Sequence, residues 1–401
     1  MKKITVIGRG TAGCISVACL ANISNYHNFE IEWIYDPDIS PQAVGEGTTL
    51  DVVNMLGESI GFGWPDLNTI DGNYKSGIRK IGYGKDVDYI HKFNTPDVAM
   101  HFNAVKLQDF IEQRIKENYK NITIIRDNIH NIKITSDYVI DCSGKPTDYS
   151  DFVLTKYIPV NSVHVTQCYW DRPMFDYTLT VARPYGWVWG IPLQNRCSIG
   201  YMYNDTISSL DEVKTDVCEI FEDFHLTPSF DTNSFSFKNY YKKQNFTETK
   251  CFNGNASFFL EPLEATSIST MITVARLAAG YVLGIHSLSH INAVYDIKIK
   301  QIENMINMHY LAGSKYNTEF WSEATRNAQE LYSTRFYDDK EFLEFYQNVK
   351  NSDNSIKNRL TSKEFLSYNN DTEYGTWSLH SWYQNIKALA LEETLDSFTQ
   401  R

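Results

Sequence analysis

The order of apolar and polar positions sets out the first elements of the chain. A short β-branched run over residues 3–7 predicts a strand, and glycines at positions 8, 10 and 13 follow it. Residues 11–21 have helical spacing, with small side chains on the face that would meet a sheet. Residues 30–35 read as a second strand, ending at Asp36-Pro37. Strand, glycine turn, helix and strand in this order form the βαβ unit of a dinucleotide-binding fold. Strand-like segments recur within 88–101 and 121–134 between Asn-rich turns, and residues 138–141 form another buried strand before Cys142-Ser143-Gly144. From about 155 to 240 the chain is rich in Val, Thr, Tyr and Trp with turn residues between them, which predicts an antiparallel, substrate-side sheet. From about residue 266 the spacing becomes mostly helical, through Ala279, Met305 and Trp321 to Leu391.

The expected architecture is therefore α/β. It has a doubly wound nucleotide-binding part, an antiparallel substrate-side sheet and a mostly helical C-terminal part. The expected boundaries are a body over 1–325, including the sheet at about 155–240, and a helical region over 326–401 packed on the same body. Residues 351–355, Asn-Ser-Asp-Asn-Ser, read as a flexible loop. No internal repeat or heptad pattern is present.

Composition narrows the function. At 401 residues the chain can bury a large core, and its 42% apolar and 21% charged content is ordinary for a soluble globular protein. The formal net charge of −12 argues against nucleic acid, whose phosphates need a basic surface. No basic helix or long apolar run points to a membrane, and the apolar start of the chain, interrupted by glycines, reads as strand, turn and helix rather than as a signal peptide. The seven cysteines are scattered with no C-x-x-C, the pattern of a reduced, cytoplasmic protein. High aromatic content is mostly a matter of core, though flat cofactors and substrates also favour aromatic walls.

Gly8-Arg9-Gly10-Thr11-Ala12-Gly13 fits G-x-G-x-x-G. The first glycine permits the tight turn, the second lets backbone N–H groups approach a pyrophosphate, and the third lets helix and strand pack closely. Asp36 lies 23 residues after Gly13, near the offset of a ribose ligand. NAD and FAD share this fingerprint, so the turn alone does not choose between them. His286 and His290 share a helix face, but no third ligand has suitable local spacing, so no metal is expected.

Further blocks choose. Gly186-Trp187-Val188-Trp189-Gly190-Ile191-Pro192 matches W-x-W-x-I-P, Asn73-Tyr74-Lys75-Ser76-Gly77-Ile78-Arg79 is similar to F-K-x-G-I-R, and Glu261-Pro262-Leu263-Glu264-Ala265-Thr266-Ser267 is similar to P-L-E-S-T-G. Gly45-Glu46-Gly47-Thr48 matches G-E-[AG]-T, Asp141-Cys142-Ser143-Gly144 matches D-C-[ST]-G, and Gly254-Asn255-Ala256-Ser257 resembles the late G-D-A-A segment of FAD enzymes. In this order, over residues 1 to about 325, they resemble the flavin-dependent halogenases, the family that includes the tryptophan halogenases.

The resemblance implies a glutathione-reductase-type FAD domain. It implies cofactor contacts from Gly8, Gly10, Thr11, Ala12, Gly13, Asp36, Gly45, Glu46, Gly47, Thr48, Asp141, Asn255 and Ile268. It makes Lys75 and Glu264 the catalytic pair, Thr266 and Ser267 the halide cradle, and Trp187, Trp189 and Pro192 a barrier beside the flavin that disfavours monooxygenation. The implied reaction is halogenation of an electron-rich aromatic small molecule by hypohalous acid made at the flavin from FADH2, O2 and halide. No second glycine fingerprint marks a nicotinamide site, so a separate flavin reductase is expected as partner; an oligomer is left open. Three positions depart from the family pattern: Asn255 for Asp, Ala265 for Ser and Ser267 for Gly. His309-Tyr310 and Phe320-Trp321 are similar to a late H-Y…F-W segment and read as core contacts. The other readings of the same residues are an FAD monooxygenase or reductase, and a flavin-binding protein without turnover. The chain is shorter than the family's tryptophan-specific members, which predicts a more open substrate site.

Overall fold

In the computed structural model, which describes residues 1–39, 45–93, 98–335, 339–351 and 373–399, the first predicted strand is the centre of the nucleotide-binding layer. Lys2–Ile7 pairs in parallel with Phe29–Tyr35 on one side and with Tyr138–Asp141 on the other. Ile122–Arg126 and Lys250–Phe252 complete a five-stranded parallel sheet. Its central strand buries Ile4, Thr5 and Val6 in succession, so both of its faces are covered. Helix Thr11–Ser24 returns the chain from the first strand to the second, and Ser267–Val282 packs against it.

The glycine turn is held from several sides. Gly8 has φ +104°, and a Cβ there would come within 2.5 Å of the Cys142 carbonyl oxygen. A Cβ on Gly13 would lie 2.0 Å from the Gly8 carbonyl oxygen, so helix and turn touch backbone to backbone. The Trp33 indole donates a 2.8 Å hydrogen bond to that same carbonyl.

The second large layer has seven strands, in the order Thr227–Ser236, Ser162–Tyr169, Arg196–Tyr203, Gly186–Pro192, Thr178–Arg183, Gly77–Tyr83, Val87–Lys92. It is antiparallel except where Thr178–Arg183 meets Gly77–Tyr83 in parallel. The predicted region of about 155–240 thus supplies five of the strands, and two more come from upstream. It also holds a helix, Leu210–Asp223, which opens on a reciprocal Ser209–Glu212 cap and buries Val213, Val217 and Ile220 at helical spacing. A smaller antiparallel sheet, Gly45–Gly47, Ala99–Asn103 and Asn73–Lys75, bridges the two layers.

Beyond residue 266 the described residues are mostly helical: Ser267–Val282, Leu288–Ala312, Glu319–Arg335, Lys340–Asn351, Leu379–Ala388 and Glu392–Thr399, with one short hairpin, Glu373–Tyr374 and Trp377–Ser378. Trp377, Trp382 and Leu395 share one apolar cluster with Ile4 and Trp33. Residues 352–355 of the expected flexible loop lie outside the described residues. Among the described residues no helix is long and apolar enough to cross a membrane.

Candidate functional site

The small bridging sheet sets the position of Lys75. It ends the strand Asn73–Lys75, pairs with Ala99, and points its side chain inward, where it is fully buried. Its Nζ donates a 2.9 Å hydrogen bond to the Thr48 carbonyl. A Cβ on Gly47 would lie 3.5 Å from that nitrogen and 3.3 Å from the His101 ring, so the Gly45–Thr48 loop passes directly over the lysine. Thr48 is fixed in turn: its N–H donates to the Met100 carbonyl at 2.9 Å, and its hydroxyl accepts from the Met100 N–H at 3.0 Å. Burial pushes the Lys75 ammonium down to about 7, with Glu264 acting in the opposite direction and Lys80 in the same one. Burial and the charge of Lys75 keep His101 well below the ordinary imidazole range.

Glu264 lies in a tight turn before helix Ser267–Val282. Ala265 takes φ +53°, unusual for a residue with a side chain, and its N–H donates to the Pro262 carbonyl at 3.0 Å. The turn points the Glu264 carboxylate inward and sets Thr266 at the N-cap, with Ser267 and Ile268 in the first turn; Thr266 makes no side-chain cap bond. Lys80 Nζ lies 2.7 Å and His309 Nε2 2.9 Å from Glu264 Oε1, and all three side chains are enclosed. These are charge contacts without hydrogen-bond alignment, so both carboxylate oxygens keep free acceptor capacity among the described residues. Burial alone would push the carboxyl up, but Lys80 and His309 outweigh it and hold it down at about 2. Burial works against the Lys80 ammonium, and the carboxylate beside it works for it. The direction at Glu264 decides the state of the pair, because an ionised carboxylate this close keeps its neighbour protonated.

The double-tryptophan strand packs against the Gly45–Gly47 strand. Trp187 is fully buried, and its indole N–H donates to the Tyr310 hydroxyl at 3.0 Å. Tyr310 donates in turn to Glu261 Oε2 at 2.6 Å. Burial raises the Glu261 carboxyl to about 8, against the hydrogen bonds from Tyr310 and Trp187. Trp189 lies flat over Gly200, where a Cβ would come 2.1 Å from the ring, and its buried indole N–H has no partner among the described residues. Pro192 closes the strand opposite Cys197.

The remaining expected residues gather around the N-terminus of helix Thr11–Ser24. Gly10 is its N-cap, and a Cβ there would meet nothing within 4 Å, which leaves room for a ligand above the helix end. Thr11 Oγ1 donates to Glu46 Oε1 at 2.7 Å, tying the Gly45–Thr48 loop to the helix; burial raises the Glu46 carboxyl above its ordinary range. Gly254, at φ +58°, approaches so closely that its Cβ would fall 2.4 Å from that of Ala12, which brings Asn255 to the same end. Asp36 accepts from the Asp38 N–H and from Asn128 Nδ2, and Asp141 is paired with Lys250 at 2.8 Å. A glycine turn with open space above it, a second chain segment against the helix end, and backbone free to approach fit a dinucleotide such as FAD.

Sequence reasoning missed Lys80, took His309 and Tyr310 for core contacts, and did not single out Glu261. A signal for Lys80 was present. It shares the inward side of its strand with Ile78, and a lysine at a buried position needs a counter-charge. His286 and His290 lie with ring centroids 5.0 Å apart, and no group of three metal-ligating side chains occurs among the described residues. Lys75 and Glu264 are both buried.

A parallel nucleotide-binding sheet, an inward lysine under a glycine loop and a tryptophan strand beside that loop define an α/β dinucleotide-binding fold. The sequence profile of the tryptophan halogenase family matches residues 3–124 and 97–384, and the chain belongs to that family. It is 24% identical over 249 residues to tryptophan 7-halogenase RebH of Lentzea aerocolonigenes, covering 58% of this chain and 46% of the relative. It is 22% identical over 275 residues to tryptophan 6-halogenase ThaL of Streptomyces albogriseolus, covering 62% and 50%. The chain thus spans about half the length of these curated relatives. Its fold is similar to that of the lanthipeptide tryptophan 5-halogenase MibH, with TM-score 0.76, 14% identity and coverage of 98% and 86%. It is also similar to a tryptophan halogenase from Shewanella frigidimarina, with TM-score 0.73, 18% identity and coverage of 99% and 93%.

Proposed function

We propose that this chain is an FADH2-dependent halogenase acting on an electron-rich aromatic small molecule, with a separate flavin reductase as partner. The observation that carries the reading is the Lys75 ammonium, buried under the Gly45–Thr48 loop and held at about 7, with the Trp187–Trp189 strand packed on the same loop. Gly8, Gly10, Thr11, Ala12 and Gly13 would hold the pyrophosphate, with Asp36 toward the ribose. Glu46, Gly47, Thr48, Asp141, Asn255 and Ile268 would complete the cofactor site. A reduced flavin bound there would, with O2 and halide, provide hypohalous acid.

The residues of the chain then direct that acid. Lys75 meets it with a hydrogen-bond donor near neutral pH, in a space from which water is excluded, where a fixed charge acts more strongly than in solvent. Glu264, held ionised beside Lys80, offers a negative charge toward the electrophile. Thr266 and Ser267, at a helix N-terminus, offer backbone N–H groups to halide. Trp187, Trp189 and Pro192 form a rigid wall beside the flavin loop.

The test is mass spectrometry of a panel of phenols, indoles and anilines incubated with the protein, a flavin reductase, NADH, FAD and each halide in turn. Products in which halogen replaces hydrogen, formed only with halide present, support the reading. Hydroxylated products whether or not halide is added would overturn it in favour of a monooxygenase.

A further inference from the structure

We propose that Lys80 is a positioning residue of this reaction: its buried ammonium holds the Glu264 carboxylate ionised and in place, leaving Lys75 as the cation without a carboxylate partner under the flavin loop. The inference rests on the halogenase reading of Lys75 and Glu264, which it deepens.

Three observations carry it. Lys80 Nζ and Glu264 Oε1 are 2.7 Å apart, and neither side chain has any solvent exposure. The strand Gly77–Tyr83 that delivers Lys80 follows the Lys75 strand after a single residue, so the two lysines are delivered by adjoining segments. The ammonium also lies 5.3 Å from the centroid of the Trp377 ring, which packs edge-on against both His91 and His309. That ring closes the cluster on the side of the C-terminal hairpin.

The titratable groups around the pair explain why the cation must be a lysine. His309 from helix Leu288–Ala312, Tyr89 and His91 from strand Val87–Lys92, Tyr83 from the strand of Lys80 and Glu261 from the segment of Glu264 surround the cluster, and burial favours the neutral form of each. His309 touches the carboxylate, but burial draws it below its ordinary range. Lys75 already feels the charge of Glu264, and without Lys80 that attraction would compete with its work at the flavin. A buried carboxylate that loses its partner either takes up a proton or forces one onto a neighbour.

The experiment compares the parent with Lys80→Met, Lys80→Arg and Lys80→Met/Glu264→Gln. On the apo proteins, Tm is measured from pH 5 to 8. In Lys80→Met the Glu264 carboxyl must take up a proton on folding, because burial works against a charged His309. Its folded affinity for the proton then lies above the unfolded one, so stability is present at low pH and lost as pH rises. The Tm deficit of Lys80→Met against the parent should therefore widen toward pH 8. Lys80→Arg, which keeps the charge, should follow the parent's slope, and the double variant, which removes both charges, should recover much of the loss. In turnover, kcat of Lys80→Met should fall about tenfold further than the parent's for each pH unit below the pair's new midpoint, with KM little changed.

A Tm deficit equal at every pH, or a double variant as unstable as Lys80→Met, would overturn the proposal. So would a kcat profile of the parent's shape in Lys80→Met. If no protein in the set halogenates any compound, the halogenase reading fails, while the Tm profiles still decide whether Lys80 keeps Glu264 ionised.

Discussion

Lys75 and Thr48 are joined by a 2.9 Å hydrogen bond from the buried ammonium to the backbone carbonyl at the end of the Gly45–Thr48 loop. The lysine is thereby oriented toward the loop, and among the described residues it has no carboxylate within ion-pair distance. Such a group is held against its solvation preference by the fold around it.

That tension is measurable. Lys75 holds its proton at about 7, against an ordinary 10.5, so between these values the unfolded chain binds a proton that the folded chain does not. Stability therefore rises with pH across that window, and the burden is full below pH 7. Lys75→Met should raise Tm at pH 7, with the gain shrinking toward pH 10. Each tenfold loss of proton affinity on folding corresponds to about 1.4 kcal/mol, so the gain should be clear in a thermal melt. A variant less stable than the parent at pH 7 would show that Lys75 is well accommodated.

Glu264→Gln should act in the opposite sense. It leaves Lys80 buried without its counter-charge, and breaking a buried pair costs about 3–5 kcal/mol. Halogenation should fall by about 100-fold or more, the scale of losing a preorganised charge. Rates within about threefold of the parent, well short of that scale, would reduce Glu264 to a structural role.

Gly10 and Gly13 should separate cofactor binding from folding. A side chain at Gly10 meets open space, whereas one at Gly13 meets the Gly8 carbonyl at 2.0 Å. Gly10→Val should leave Tm nearly unchanged and abolish FAD binding by fluorescence titration. Gly13→Ala should lower Tm sharply. Unchanged FAD affinity in Gly10→Val would move the cofactor elsewhere.

Glu261 should titrate with the fold. Its carboxyl is raised to about 8, so the folded state binds a proton between the ordinary carboxyl range and pH 8 that the unfolded state does not, and stability declines as pH rises through that interval. Glu261→Gln keeps an acceptor for Tyr310 and removes the titration. Its Tm should fall less steeply from pH 5 to 8 than the parent's, and parallel curves would contradict the assignment.

The backbone part of this site was legible in the sequence, and the charge balance was not. The turn at Gly8–Gly13 could be read because only glycine fits the contacts at its two ends, Gly8 and Gly13. The lysine and tryptophan blocks could be read because their residue types are rare at that spacing. Helix Leu210–Asp223 was absorbed into a predicted sheet, although the Ser209–Glu212 cap and the spacing of Val213, Val217 and Ile220 marked it. Lys80 and His309 could not be joined to Glu264 from sequence, because more than 180 residues separate Lys80 from the carboxylate and the contact exists only once three elements converge. The link from Trp187 through Tyr310 to Glu261 is long-range in the same way.

The central claim is that Lys75 acts on an electrophile delivered from the flavin. The most direct measurement is a paired assay of the parent and Lys75→Met with chemically supplied FADH2, O2 and bromide, following halogenated product and released peroxide together. Halide-dependent product is expected from the parent. From the variant the expectation is no product, unchanged FAD binding and at least as much peroxide. Full product formation by Lys75→Met would contradict it.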